Sequence, residues 1–308
     1  MAETKDFSPK VLQMLHDHFY VTTGSVKKEH LKQRLNEVDI FWFRLAYQLK
    51  SDVISADTKC KFLVSPVTGI DHIDEELCHQ YGIRIICLRG EKEFLKEVRA
   101  TAEHTILLAL MLLRNASDAF SDVKEEKWRR DLFRGNELYK KNIGIVGLGR
   151  LGAIVAEYLH SFGCKIGYYD IEEKITNPQF KKYDSLQACI ERSDLISIHI
   201  PYNSSTRHLF DRQVLSYFDA TKWLINTSRG GIIDEKALLV ALEENNIAGA
   251  ALDVLDKEPN IEGNSLINFA KNNSNLIITP HIGGSTYESF EKTELFLAKK
   301  LINLTIEK

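Results

Sequence analysis

The chain has 308 residues, of which 44% are apolar and 27% charged, and its formal net charge of −3 comes without any long basic tract. That length exceeds one typical domain and the composition is ordinary for a globular protein, which sets aside fibrous, disordered and nucleic-acid-binding classes. The five cysteines, Cys60, Cys78, Cys87, Cys164 and Cys189, are odd in number and lack a C-x-x-C spacing, so neither a disulfide framework nor a metal site is expected, and no apolar run approaches the roughly 20 residues that span a bilayer.

The opening M-A-E-T-K-D-F has no apolar export segment, which predicts a cytoplasmic protein. Ser8-Pro9 then places a capping residue before a proline at the first helical position. The apolar runs V-D-I-F-W-F, C-K-F-L-V and I-R-I-I-C-L alternate with helical patterns up to about residue 97, as short parallel strands do when helices cover both faces of their sheet. Such a fold should open with a strand, yet residues 1–7 are not apolar; the natural product is therefore expected to carry a few more apolar residues upstream, with 2–4 as the strand's end. A long apolar helix over 100–115 follows without a flexible linker and is expected to bridge two lobes.

Beyond it, strands are predicted at 143–146, 165–169, 195–200, 223–226, 248–252 and 276–279, with helical segments between most of them. Six such strands make a complete doubly wound sheet. The amphipathic segment 285–308 is expected to fold back onto the first lobe. The predicted architecture is thus α/β, with two doubly wound parallel-sheet domains: 1–97 joined by 285–308, interrupted by 98–284.

Residues 142–152 read N-I-G-I-V-G-L-G-R-L-G, an apolar strand running into Gly147-x-Gly149-x-x-Gly152. Gly147 permits the tight turn, Gly149 lets backbone approach a pyrophosphate, and Gly152 lets the following helix pack on its strand. Orphan N–H groups and the positive dipole end of that helix favour an anion. Asp170, at the end of the next apolar run, suits the two hydroxyls of an adenosine ribose; a 2′-phosphate would meet its carboxylate, and Ile171, Glu172 and Glu173 supply no cation to offset the clash. NAD is therefore predicted over NADP.

Three polar groups fall just past the carboxyl ends of later strands, where such a sheet offers its ligand crevice. N-T-S-R-G-G carries Arg229, A-L-D-V-L-D-K-E-P carries Asp253 and Glu258, and T-P-H-I-G-G carries His281. Each alone reads more readily as a surface cation, a helix-capping acid or a loop histidine; their joint placement points to a site. Histidine titrates near working pH and suits proton transfer to and from an alcohol, a carboxylate on its other nitrogen fixes the tautomer, and arginine offers a planar fork for a substrate carboxylate.

These blocks, with T-G-I-D-H-I-D at 68–74, T-A-E-H-T at 101–105, W-R-R-D-L-F-R-G-N-E-L at 128–138 and D-L-I-S-I-H-I-P at 194–201, resemble the D-2-hydroxyacid dehydrogenase family over nearly the whole chain. The resemblance implies a Rossmann-type NAD-binding domain inserted in a flavodoxin-like substrate domain. It implies interconversion of a D-2-hydroxyacid and its 2-oxoacid, 3-phosphoglycerate and 3-phosphohydroxypyruvate being one candidate pair. Arg229, Glu258 and His281 would be the catalytic trio. Gly147, Gly149, Arg150, Leu151, Gly152, Asp170, His199, Pro201, Thr206, Thr227, Asp253, His281 and Gly283 would contact the cofactor, with Asp253 near the nicotinamide carboxamide.

The resemblance also assigns the backbone of Val67, Thr68 and Gly69, with Arg229 and His281, to the substrate carboxylate and carbonyl. Arg44 would reach the substrate's distal end, where an ordinary salt-bridged arginine is an equal alternative. The family commonly has asparagine at the position of His72. Further expectations are a homodimer through the larger lobe, closure with hinges near 98 and 285, and no C-terminal regulatory domain. An NAD-sensing corepressor-like binding protein is the alternative on the same scaffold, while a formate-dehydrogenase-like activity is disfavoured because those relatives carry glutamine where this chain has Glu258.

Overall fold

In the computed structural model, which describes residues 1–3, 5–174 and 176–306, the chain divides into two units, Met1–Val98 with Ser285–Lys308, and Arg99–Gly284. The first unit holds three parallel strands, β1 (Ile40–Trp42), β2 (Phe62–Ser65) and β3 (Arg84–Cys87), in that spatial order. Alternation along β1 and β2 sends successive side chains to opposite faces. Phe41, Phe43 and Leu63 pack with Leu31, Leu35 and Cys78 from the helices Leu31–Glu37 and Glu75–Gln80. Trp42, Phe62, Val64 and Ile86 pack with Val11 and Leu15 of helix Pro9–His16 and with Leu297, Ala298 and Leu301 of helix Tyr287–Ile306. A residue as fully enclosed as Leu35 or Leu63, both 0% exposed, contributes roughly 1.5–3 kcal/mol by burial.

Where an opening strand was expected, the Ala2 N–H donates to Trp42 O at 2.8 Å and the Ala2 side chain is buried. The proline-initiated helix follows at Pro9–His16. The first sheet therefore has three described strands without a reversal of order.

Among the described residues the second unit carries seven parallel strands: β4 (Asn142–Val146), β5 (Lys165–Tyr169), β6 (Lys181–Lys182), β7 (Leu195–Ile198), β8 (Trp223–Asn226), β9 (Gly249–Leu252) and β10 (Leu276–Ile278). Their order is β10-β9-β8-β7-β4-β5-β6, so the direction of winding reverses between β4 and β7. All six strands expected here begin and end within two residues of the expected limits, and Lys165–Tyr169 and Trp223–Asn226 match fully. The two-residue edge strand β6 escaped the sequence pattern because its lysines offer no apolar alternation; charge on an outer strand also discourages pairing with a second sheet.

The long apolar helix runs Ala100–Leu113 and buries Ala102, Ile106, Leu108, Ala109, Leu112 and Leu113 with Ile143, Ile145 and Leu159 in the second unit's core. Its apolar residues lie all around the axis, and the face that does not meet the core leaves Leu107 49% exposed. Among the described residues no helix is long and apolar enough to cross a membrane, and no cluster of His, Cys, Asp and Glu is arranged to hold a metal ion.

Candidate active site and cofactor cradle

The glycine loop leaves β4 at the point where the strand order reverses, the position at which open α/β sheets bind ligands. Gly147 has φ +91°, a left-handed conformation that disfavours L side chains. A Cβ on Gly152 would stand 2.1 Å from Gly147 O, so any side chain would push the helix Arg150–Ser161 off its loop. Above Gly149 there is open space: no heavy atom lies within 4 Å of where a Cβ would be. That vacancy over a helix N-terminus fits a pyrophosphate.

Asp170, just past β5, accepts the Leu148 N–H at 2.8 Å through Oδ2 and the Glu172 N–H at 2.9 Å through Oδ1. The carboxylate is thereby tied to the glycine loop itself. The sequence pattern offered no cation here, but Lys174 Nζ lies 3.6 Å from Asp170 Oδ1 and 2.5 Å from Glu172 Oε2. Lys174 stands four residues after Asp170, past Ile171, Glu172 and Glu173.

His199 follows β7, beside the loop. Its Nε2 lies 2.8 Å from Ser197 Oγ, and its Nδ1 is buried without a partner among the described residues. Burial pulls the ring down to about 3, so it is neutral at working pH. An unsatisfied buried nitrogen on a residue next to the glycine loop is chemically suited to a hydrogen bond with a cofactor. Thr206 Oγ1 donates to Pro201 O at 2.7 Å and fixes their common loop, while the Thr227 hydroxyl, buried, pairs with Thr105 Oγ1 at 2.9 Å. The side chain of Thr227 is therefore committed inside the unit. Burial lowers the Arg150 guanidinium at the helix start from its ordinary value.

The polar groups past β8, β9 and β10 form two connected arrangements. In one, His281 Nδ1 contacts Glu258 Oε1 directly, and Glu258 Oε2 accepts the Leu255 N–H at 3.2 Å. His281 itself sits at φ +54°, a left-handed conformation held by its turn. Asp253 builds that turn: Oδ1 accepts Thr279 Oγ1 at 2.6 Å and the Ile282 N–H at 2.8 Å, and Oδ2 accepts the Gly283 N–H at 2.8 Å. His104 Nε2 lies 3.2 Å from Asp253 Oδ1 and 3.0 Å from Thr279 Oγ1.

Burial pushes the Asp253 carboxyl up, yet the hydrogen bonds from His104, Thr279, Ile282 and Gly283 together hold it below the usual carboxylate range. Both Asp253 oxygens are thus engaged with the turn, and the residue orients the segment that presents His281. The other arrangement surrounds Arg229. Asn226 Nδ2 donates to Arg229 O at 2.9 Å, Asn226 Oδ1 accepts the Ser228 N–H at 3.0 Å, and Arg229 Nη1 donates to Ser228 O at 2.9 Å.

Residues 106–283 match the family model for the NAD-binding domain of D-isomer specific 2-hydroxyacid dehydrogenases. The chain belongs to that family. It is 34% identical over 285 residues to a glyoxylate reductase of Thermofilum pendens, covering 89% of this chain and 80% of the relative. It is 33% identical over 284 residues to the D-3-phosphoglycerate dehydrogenase of Methanocaldococcus jannaschii, covering 91% of this chain but only 52% of the relative, so it spans about half of that protein's length. The solved structure of a D-lactate dehydrogenase from Aquifex aeolicus, in complex with NAD and lactic acid, is similar with a TM-score of 0.84 and 25% identity, over 97% of this chain and 92% of the other. This 2-hydroxyacid dehydrogenase is an NAD-dependent oxidoreductase.

Within the first unit of the dehydrogenase, Val67 and Arg44 have the following partners. The Val67 N–H donates to Ser65 O at 2.8 Å and its carbonyl accepts the Leu88 N–H at 3.0 Å, so that amide is taken up by its own turn. Arg44 does not present an uncommitted guanidinium: Nη2 donates to Glu294 Oε1 at 2.5 Å, and the group lies 3.9 Å above the Phe290 ring. Glu294 is 0% exposed, and burial pushes its carboxyl up against the opposing pull of Ser8 N–H and Arg44. The ion pair named by the salt-bridged reading is present. His72 is buried with its ring edge-on to Phe43, 5.5 Å between centroids.

The sequence reading missed His104, Thr279, Lys174 and Ser197 as supporting residues. His104 stood in a quoted motif, but nothing in a helix pattern tells which turn its ring will meet.

Proposed function

We propose that the dehydrogenase interconverts a short D-2-hydroxyacid bearing a single carboxylate and its 2-oxoacid, with His281 as proton carrier, Glu258 as the group that holds its ring, and Arg229 as the cation for the substrate carboxylate. The contact between His281 Nδ1 and Glu258 carries this reading, because it leaves Nε2 as the nitrogen to exchange a proton with the substrate oxygen. NAD, when bound, takes or gives the hydride. In oxidation the hydroxyl proton goes to His281 as the hydride leaves the same carbon, and in reduction His281 returns a proton to the new alkoxide. Glu258 stabilises the imidazolium in both directions, and Arg229 is suited to draw charge toward the carboxylate and carbonyl oxygens. Gly147, Gly149, Gly152, Asp170 and His199 would hold the cofactor, and Thr68 and Gly69 would offer backbone donors for a carboxylate.

The preference for a short, singly charged acid is supported by Arg44, whose charge is already matched by Glu294. The glyoxylate reductase relative, most of whose length this chain covers, agrees with it. The phosphoglycerate dehydrogenase relative favours a second reading, 3-phosphohydroxypyruvate as substrate, which would require Arg44 to leave Glu294. Initial rates with NADH and a panel of glyoxylate, hydroxypyruvate, pyruvate and 3-phosphohydroxypyruvate decide between them. A kcat/KM highest for the phosphorylated acid would overturn the first.

We also propose that the enzyme is a homodimer through the second unit. Phe120, Val123, Trp128 and Leu132 are all more than half exposed within fifteen or so residues, an apolar density that a single solvated surface rarely carries. Light scattering should give twice the chain mass, and Trp128→Glu should lower it; a wild-type monomer at micromolar concentration contradicts the proposal.

A further inference from the structure

We infer that Glu235 is a positioning residue for the proton-carrying pair, acting as a latch on the loop that bears Glu258; this rests on the assignment of Glu258 and His281 given above. Between β9 and the helix Ser265–Ala270 the chain has no regular structure, and Glu258 stands in the middle of that span. Bonds within the loop are local: Asn260 N–H to Lys257 O, Ile261 N–H to Pro259 O, and Asn264 N–H to Ile261 O. None of these fixes the loop to the body of the unit.

Glu235 does so at both shoulders. It is the first residue of helix Glu235–Glu243, whose N-terminus is capped by Asp234. Its Oε1 accepts the Asp256 N–H at 2.7 Å and its Oε2 accepts Asn264 Nδ2 at 2.7 Å. The two anchor points lie on either side of Glu258. Asn264 is held in one orientation because its Oδ1 caps the next helix, accepting the N–H groups of Leu266 at 2.9 Å and Ile267 at 3.1 Å.

An acid at a helix start is ordinarily explained by the dipole alone. Here both carboxylate oxygens are turned away from the helix's own N–H groups and onto the loop. The segment 229–235 also meets the loop by direct packing, since a Cβ on Gly230 would stand 1.9 Å from the carbonyl carbon of Leu255. Arg229 and the latch for Glu258 therefore share one stretch of seven residues, so the cation and the acid are placed by the same piece of backbone. A carboxylate that bridges two donors defines position more tightly than one contact, and misplacing a proton-holding group by a fraction of an ångström lowers turnover without changing cofactor binding.

The polarity of the Asn264 strut provides the test. Glu235→Gln keeps an acceptor for Asp256 but turns a donor onto the fixed Asn264 amide, and Asn264→Asp keeps the helix cap but turns an acceptor onto Glu235. Each single variant should lower kcat about tenfold and displace the pH optimum of 2-oxoacid reduction, with the KM for NADH unchanged. The Glu235→Gln/Asn264→Asp double variant re-pairs donor with acceptor and should return kcat to within about twofold of wild type.

Wild-type kcat and pH profile in both single variants, or a double variant no faster than the slower single one, overturns the latch, provided His281→Ala is inactive in the same assay. Substantial activity in His281→Ala overturns the underlying site assignment instead. Should Glu235→Gln fail to fold, the comparison of Asn264→Asp with the double variant carries the same decision.

Discussion

The strand ends of the two units treat their charged groups in opposite ways. In the second unit, the groups past β8, β9 and β10 are supported by near neighbours in the same crevice: Asp253 by the turn at 279–283, His281 by Glu258, Arg229 by Asn226 and Ser228. In the first, the cation past β1 is matched by an acid 250 residues away on the last helix. One region keeps polar atoms oriented toward a place where chemistry can occur, and the other uses a comparable charge to close its own structure. A charged residue at a strand end is thus a candidate for function only until its long-range partner is known.

The sharpest way to break this contrast is to remove the second unit's proton carrier. His281→Ala is expected to lower kcat/KM by about 10²–10⁴-fold, the usual worth of a positioned acid–base group, while fluorescence titration still shows NADH binding. Arg229→Lys should fall nearly as far, because a point charge does not reproduce the fork. Near wild-type rates in either would remove the basis for treating this region as the reactive one.

A smaller effect is expected at the cofactor end. Asp170→Ala should raise kcat/KM for NADPH relative to NADH by about tenfold, since a like charge is removed and Lys174 remains close by to meet a 2′-phosphate. An unchanged ratio would mean that the ribose hydroxyls are read elsewhere. In the first unit, Glu294→Gln should cost about 1–3 kcal/mol of stability by replacing the charge-assisted bond to Arg44 with a neutral one, and should improve use of 3-phosphohydroxypyruvate relative to glyoxylate. Denaturant unfolding and the same substrate panel measure both; a loss of stability with no change in preference would make Arg44 purely structural.

The smallest effect concerns pH. His199 is held at about 3 against an ordinary 6.5 by burial, so as pH falls below 6.5 the unfolded chain takes up a proton that the folded one refuses. Its contribution is therefore fully present above 6.5 and is lost progressively toward pH 3. Melting temperatures of wild type should fall between pH 7 and 4.5 more steeply than those of His199→Asn, and parallel curves would argue against a buried neutral ring.

Much of the second unit was legible before any coordinates. The apolar run before Gly147, the three glycines and Asp170 at the next strand end encode a strand, a turn and a helix within about thirty residues, and local periodicity reports such things directly. The same is true of the order of Arg229, Glu258 and His281 along successive strands. Lys181–Lys182 was not legible as a strand because a charged edge has no apolar pattern to display.

By itself, the sequence determined the alternation of short apolar strands with helices, the dinucleotide cradle and the family, since each depends on residues near one another along the chain. Only the tertiary structure decided that Arg44 faces Glu294, that Val67 keeps its amide for Ser65, that Asp253 folds the turn beneath His281, and that Glu235 holds both shoulders of the Glu258 loop. The reason is physical. Hydrogen-bond partners of a side chain are set by which loops the sheet brings together, and residue type and spacing carry no record of that meeting across tens to hundreds of intervening residues.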